Sequence, residues 1–236
     1  MADLTADVKD KVALIIGAGP GLSASIARTF AKAGMKIALA ARGIDDLGAL
    51  AAEVGAETFA CDATKPDAVK RLFADLDRGG APDIVVYNAS YRTRGPLVDL
   101  DPAEVQQSLL VSAFGGFLVG QEATRRMLPR GAGTILFTGA SASVKGYAQS
   151  APFAMGKFAL RGLAQSMARE LGPQGIHVAH VVVDGGIRSA RRPEAADRPD
   201  ALLDPDAIAA SYLHLVQQHR SAWTFELEVR PWVEKF

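Results

Sequence analysis

Apolar residues along this chain fall into short unbroken runs, at positions 12–16, 37–41, 58–60, 84–87, 134–137, 176–183 and 224–229. The segments between them are longer and carry apolar residues at helical spacing, as at Leu22, Ile26, Ala27 and Phe30. Val12-Ala13-Leu14-Ile15-Ile16 and Val181-Val182-Val183 do not alternate with polar residues, which predicts strands covered on both faces. Strand, helix, strand repetition then predicts an α/β fold, a doubly wound parallel sheet of about seven strands with helices on both faces. Pro102, Pro66 and Pro205, each after a polar residue, mark helix starts, while Gly34, Gly131 and Gly172 follow helical runs and are expected to end them. Two long helices are expected, over 102–127 and 152–171.

The 236 residues, 49% of them hydrophobic, suit a single domain over 1–236, with a short loop at 186–204 on the substrate side. Twenty-six basic and 26 acidic residues cancel without any basic stripe, so nucleic acid is not an expected partner. No apolar run reaches the roughly 20 residues of a membrane span, and the polar start has no signal-peptide core, so a cytoplasmic protein without membrane association is expected. Cys61 stands alone. His177 and His180, three apart on a strand, point to opposite faces, and no metal site is expected.

Ile15-Ile16-Gly17-Ala18-Gly19-Pro20-Gly21-Leu22-Ser23 joins the first strand to the first helix. There, glycines let backbone amides and a helix N-terminus approach a pyrophosphate, so Gly17, Gly19, Gly21 and Leu22 are candidate cofactor contacts. After the second strand comes Arg42, in Ala40-Ala41-Arg42-Gly43, where an NAD site would place an acid for the ribose. A guanidinium there suits a 2′-phosphate, so NADP(H) is expected over NAD(H).

Taken in order, Gly17 to Leu22, Cys61-Asp62, Asn88-Ala89-Ser90, Phe153-Ala154-Met155-Gly156-Lys157 and Asp184-Gly185-Gly186-Ile187-Arg188-Ser189 resemble the motifs of the short-chain dehydrogenase/reductase family. The resemblance runs over nearly the whole chain. It implies a Rossmann-type sheet of strand order 3-2-1-4-5-6-7, a nicotinamide dinucleotide as partner, and redox chemistry on a small carbonyl or alcohol substrate. It further implies that Asp62 contacts the adenine, that Asn88, Ile187 and Lys157 also touch the cofactor, and that the chain forms a homodimer or homotetramer. The helices over 102–127 and 152–171 would build that interface.

In the family a Tyr gives the proton, a Lys lowers its pKa, a Ser orients the substrate oxygen and an Asn supports a relay water. Here Lys157 matches, but Phe153 occupies the Tyr position, Ala140 the Ser position with Ser141 next to it, and Ser112 the Asn position. General acid–base help is worth roughly 10²–10⁴ in rate, so its loss weakens a reductase without ending hydride transfer. The expected function is therefore an oxidoreductase with an atypical proton donor, for which Tyr147, Tyr91 or a water held by Ser141 and Lys157 are the candidates. The alternative is a catalytically weak NADP-binding protein that acts as a sensor or partner. Arg92 and Arg94 lie just past Asn88, and one of them is expected to contact an anionic substrate. Trp223 and Trp232, near the C-terminus, are candidates for packing on a neighbouring subunit.

Overall fold

Strand β1 (Val12–Ile16) is the third strand of a seven-stranded parallel sheet in the computed structural model, which describes residues 6–234. Its neighbours are β2 (Lys36–Ala41) and β4 (Ile84–Tyr87); outward lie β3 (Glu57–Ala60) on one side and β5 (Gly133–Thr138), β6 (Ile176–Val183) and β7 (Glu226–Val229) on the other. The order is 3-2-1-4-5-6-7, as the family resemblance implies, and every pairing is parallel.

Successive residues of a strand enter opposite cores. Ala13 and Ile15 pack with Leu39, Val86 and Val181 against α1 (Leu22–Lys32), α2 (Gly48–Val54) and α7 (Pro205–Gln217). Leu14 and Ile16 pack with Val85, Tyr87 and Phe137 against α3 (Pro66–Asp77), α5 (Gly115–Met127) and α6 (Ala151–Leu171). With both faces of the sheet buried, the period-two signal vanishes, which is why the strand runs read as continuously apolar.

The prolines act at helix starts as expected. Asp101 and Asp204 cap α4 (Pro102–Leu109) and α7 by accepting the amides of Ala103 and Asp206 at 2.9 and 2.8 Å. Gly34 and Gly131 take left-handed φ values of +88° and +57°. Gly172 does not: at φ −55° it continues into a 3-10 turn, and Gly175, at +82°, is the left-handed residue.

The helix expected over 102–127 is divided. A wide π turn at Leu110–Phe114 separates α4 from α5, and the buried Tyr87 hydroxyl donates to the Val111 carbonyl within it over 2.5 Å. A phenol buried in the core needs an acceptor, and the widened turn supplies one. β7 starts at Glu226, not at Thr224, because the Thr224 amide donates to Gln218 Oε1 at 2.8 Å rather than to a strand. Trp223 stacks on His177 of the same chain, ring centroids 4.9 Å apart, while Trp232 is exposed. Among the described residues, no helix is long and apolar enough to cross a membrane.

Candidate functional site

β1 and β4 end side by side where the strand order reverses, the place where open α/β sheets hold ligands. Gly17 leaves β1 at φ +83°, and a Cβ on it would stand 2.4 Å from the Ala89 amide nitrogen, so only glycine serves there. Ser23, buried in the first turn of α1, donates from Oγ to the Gly17 carbonyl at 2.8 Å and accepts from Asn88 Nδ2 at 2.7 Å. Ser23 thus braces the turn. Gly19 and Gly21 border open space, with no atom within 4 Å of a built Cβ. That space lies at the N-terminus of α1, whose first turn carries no acid. Free amides, the positive end of a helix dipole and the absence of any obstructing side chain fit a dinucleotide pyrophosphate.

Beyond this turn lies a cavity of about 480 Å³, lined by Gly17, Arg42, Asp46, Asp62, Asn88 and Tyr91 among others. Burial pushes the Asp62 carboxyl up, but hydrogen bonds from Thr64 Oγ1 (2.7 Å) and N (3.0 Å), helped by the Lys65 and Arg42 charges, bring it below its ordinary value. Asp46 was not foreseen from sequence. It follows Arg42 by four residues, in the 3-10 turn at Asp45–Leu47, so the end of β2 offers an acid as well as a guanidinium.

On the other side of Asn88 a cleft of about 650 Å³ brings together Ser141, Tyr147, Phe153, Lys157 and Ile187. Phe153 and Lys157 are four apart on α6 and so share a face. Lys157 is buried, and its Nζ donates to the Thr138 carbonyl at the end of β5 over 2.8 Å. Burial alone pushes its ammonium down to about 8. The Phe153 ring centroid lies 5.8 Å from that nitrogen and 5.0 Å from the guanidinium carbon of Arg92.

The candidates for the missing phenol separate. Tyr147 is 46% exposed and lines the cleft with Lys157. Tyr91 faces the other cavity, and its hydroxyl donates to Glu104 Oε2 at 2.5 Å, a bond that holds the phenol above its usual pKa. Ser141 borders the cleft at the start of a 3-10 turn (Ser141–Ser143), whereas Ser143 is buried and accepts the Ala140 amide at 3.1 Å. Ser112 does not reach the cleft. It is buried in the π turn against Gly156 of α6, and among the described residues its Oγ has no hydrogen-bond partner.

Several polar and charged groups in or beside the cleft had no role assigned from sequence. Asp184, buried at the end of β6, faces Lys145 Nζ at 3.2 Å and Arg230 at 3.8 Å. Arg192 comes back from the loop after β6, its Nη1 2.6 Å from where a Cβ on Gly186 would stand. Beneath the cleft, His180 Nδ1 meets Glu226 Oε2 at 3.1 Å, and Glu226 is held by Arg161 through two bonds of 2.7 Å. Burial drives His180 down to about 4, so it is neutral at pH 7. Among the described residues, no group of His, Cys, Asp and Glu could hold a metal ion.

Comparison with known proteins agrees with this geometry. The sequence profile of the family described as short chain dehydrogenase matches residues 11–198. A curated relative, short chain aldehyde dehydrogenase 1 of Euphorbia lathyris, is 31% identical over 217 residues, 86% of this chain and 72% of its own. The crystal structure of a short-chain dehydrogenase from Rhodopseudomonas palustris superposes with a TM-score of 0.80 at 36% identity, covering 94% of this chain and 99% of the other. A metagenomic short-chain oxidoreductase in complex with NADP superposes at 0.84 with 28% identity, covering 96% and 99%. The seven-stranded sheet accords with these matches, and the chain belongs to the short-chain dehydrogenase family, a family of nicotinamide-dependent oxidoreductases.

Proposed function

We propose that this protein is an NADP(H)-dependent oxidoreductase acting on a small carbonyl or alcohol, with Lys157 as the reservoir of the proton that a phenol at position 153 would otherwise give. The observation that carries the reading is the buried Lys157 ammonium, 2.8 Å from the Thr138 carbonyl, in the same cleft as Ser141 and Tyr147. Nicotinamide, when bound, supplies or accepts the hydride. Gly17, Gly19, Gly21 and Leu22 would hold the pyrophosphate, Asp62 the adenine, Arg42 the 2′-phosphate, and Asn88 and Ile187 the nicotinamide side. Lys157 would contact the nicotinamide ribose.

With its ammonium at about 8, Lys157 sits nearer neutrality than a free lysine and can release and regain a proton during turnover. The proton passes to the substrate oxygen through a water bound by Ser141 or through the Tyr147 hydroxyl, leaving a neutral amine that solvent recharges. Arg42 supports NADP(H), as does the NADP complex of the metagenomic relative; Asp46 in the same cavity opposes the extra phosphate.

Fluorescence titration with NADPH and NADH tests the cofactor, followed by carbonyl turnover in wild type, Tyr147→Phe and Ser141→Ala. Activity lost only in Tyr147→Phe identifies the phenol as the final donor; activity lost only in Ser141→Ala identifies the water route. Nucleotide binding without turnover would replace the enzyme reading with that of a catalytically weak NADP-binding protein, and no binding at all defeats both.

The same helices support a homodimer or homotetramer. Met155 and Phe158 on α6, Phe117 on α5 and Phe114 just before it are 40–49% exposed, and the two last line an apolar groove with Leu110, Ala113 and Leu163. Apolar area of this kind is what obligate interfaces cover, and light scattering coupled to gel filtration reads the mass directly.

A further inference from the structure

Several arginines outside the cleft are held by carboxylates, while others, such as Arg71 and Arg220, have no ion pair among the described residues. Arg28 meets Glu53, Arg126 meets Asp77 and Glu122, Arg161 meets Glu226, and Arg188 meets Glu194 and Asp204. Three of the arginines without an ion pair converge on one cavity. Arg92 and Arg94, from the segment after β4, and Arg192, from the loop after β6, all line the cavity that contains Lys157, and among the described residues none of them has an ion pair. They are close enough to act on one another: burial first, then the charges of Arg94 and Arg192, hold the Arg92 guanidinium below its ordinary value.

The rest of the cleft does not cancel them. Of its two carboxylates, Asp184 is engaged by Lys145 and Arg230, which leaves Glu234, at the far end of the chain, against three guanidiniums and Lys157. Bringing like charges together costs free energy unless an anion joins them, and a guanidinium's planar donors match a carboxylate or phosphate in two-point contacts. Phe153 adds an apolar wall. Its ring faces the Arg92 guanidinium at 5.0 Å, so a hydrophobic or aromatic body can lie beside the ring with its charged end at the arginines.

We propose that the substrate is an organic anion, a carbonyl or alcohol compound whose carboxylate or phosphate group is bound by Arg92, Arg94 and Arg192, with its hydrocarbon body against Phe153. The proposal rests on the oxidoreductase reading for the reacting end of the molecule. The anion site itself rests on two separate chain segments converging on one cavity. Only part of it is legible in sequence, since Arg94 and Arg192 are far apart in the chain and only the fold sets them around one space.

The test is calorimetric titration of matched aldehydes: para-carboxybenzaldehyde, para-formylphenyl phosphate and the neutral para-tolualdehyde. Each is titrated with and without NADPH into wild type, Arg92→Ala, Arg94→Ala and Arg192→Ala, with NADPH affinity measured separately by fluorescence. The wild type is expected to bind at least one anionic aldehyde about tenfold or more tightly than the neutral one. Each alanine variant is expected to lose several-fold of that preference while its affinity for the neutral compound stays put, and added salt should erode the preference. Comparison of the first two compounds separates a carboxylate site from a phosphate site. Equal binding of charged and neutral aldehydes, or a preference unchanged in all three variants, overturns the proposal. So does an Arg192→Ala variant that weakens NADPH as much as it weakens the anion, since Arg192 would then belong to the cofactor. Absence of NADPH binding alongside an intact anion preference would instead defeat the oxidoreductase reading and leave the anion site standing.

Discussion

Asn88 Nδ2 donates to Ser23 Oγ across 2.7 Å, tying the end of β4 to the first turn of α1. Ser23 passes the tie on, donating to the Gly17 carbonyl at 2.8 Å, so one buried hydroxyl locks three parts of the switch point together. Glycine at position 23 would make neither bond. The serine stiffens a turn whose amides must stay aimed at open space.

Ser23→Ala should therefore cost about 1 kcal/mol, since it removes the partner of the half-buried Asn88 amide and Gly17 carbonyl. Denaturant unfolding reads the stability and fluorescence titration reads the NADPH affinity, which should fall with it. An unchanged midpoint would mean that the turn holds its shape without the hydroxyl.

Lys157 links stability to pH. Unfolded, it titrates near 10.5; folded, burial lowers it to about 8, so between those values the unfolded chain carries a proton that the native chain lacks, and stability from this group rises with pH. Below about pH 8 both states are charged and the native state bears the full cost, on the order of 3 kcal/mol at 1.36 kcal/mol per pH unit. Lys157→Met removes that dependence. Its stability relative to wild type should be most favourable near pH 7 and drop by about 3 kcal/mol on the way to pH 10.5. A constant difference across that range would show that Lys157 is not desolvated.

Phe153→Tyr places a phenol on the ring that already lies 5.8 Å from Lys157 Nζ. Turnover of a carbonyl substrate should rise by roughly 10²-fold or more, the ordinary worth of a general acid. Steady-state kinetics at saturating NADPH would show it in kcat rather than KM. No gain would mean that the proton already arrives by an equally good path.

Arg42→Ala should weaken NADPH binding by about tenfold and leave NADH nearly unaffected, the loss of one charge-assisted contact. Asp46→Asn acts the other way, removing an acid from the same cavity and raising NADPH affinity. If neither substitution alters the ratio of the two affinities, the end of β2 does not read the 2′-phosphate.

The sequence by itself determined the sheet, because strands buried on both faces leave unbroken apolar runs and the glycine turn falls directly after the first of them. It also set Phe153 and Lys157 on one face of a helix, since four-residue spacing on a helix fixes a shared face. What it left open were relations between distant segments. Ser23 had no role until the fold brought Asn88 to it; Tyr91 was a candidate proton donor, and the fold sets its hydroxyl on Glu104 of α4. Within the 102–127 segment the π turn offers the Val111 carbonyl to Tyr87, a residue of a distant strand. Asp46 lies only four residues past Arg42, but its approach to the same cavity depends on a local 3-10 turn, and Arg192 joins Arg92 and Arg94 only through the return of the loop after β6. Periodicity encodes which face of an element is buried. Which polar groups meet across elements is decided by packing, where each buried donor must find whatever acceptor the tertiary fold sets beside it.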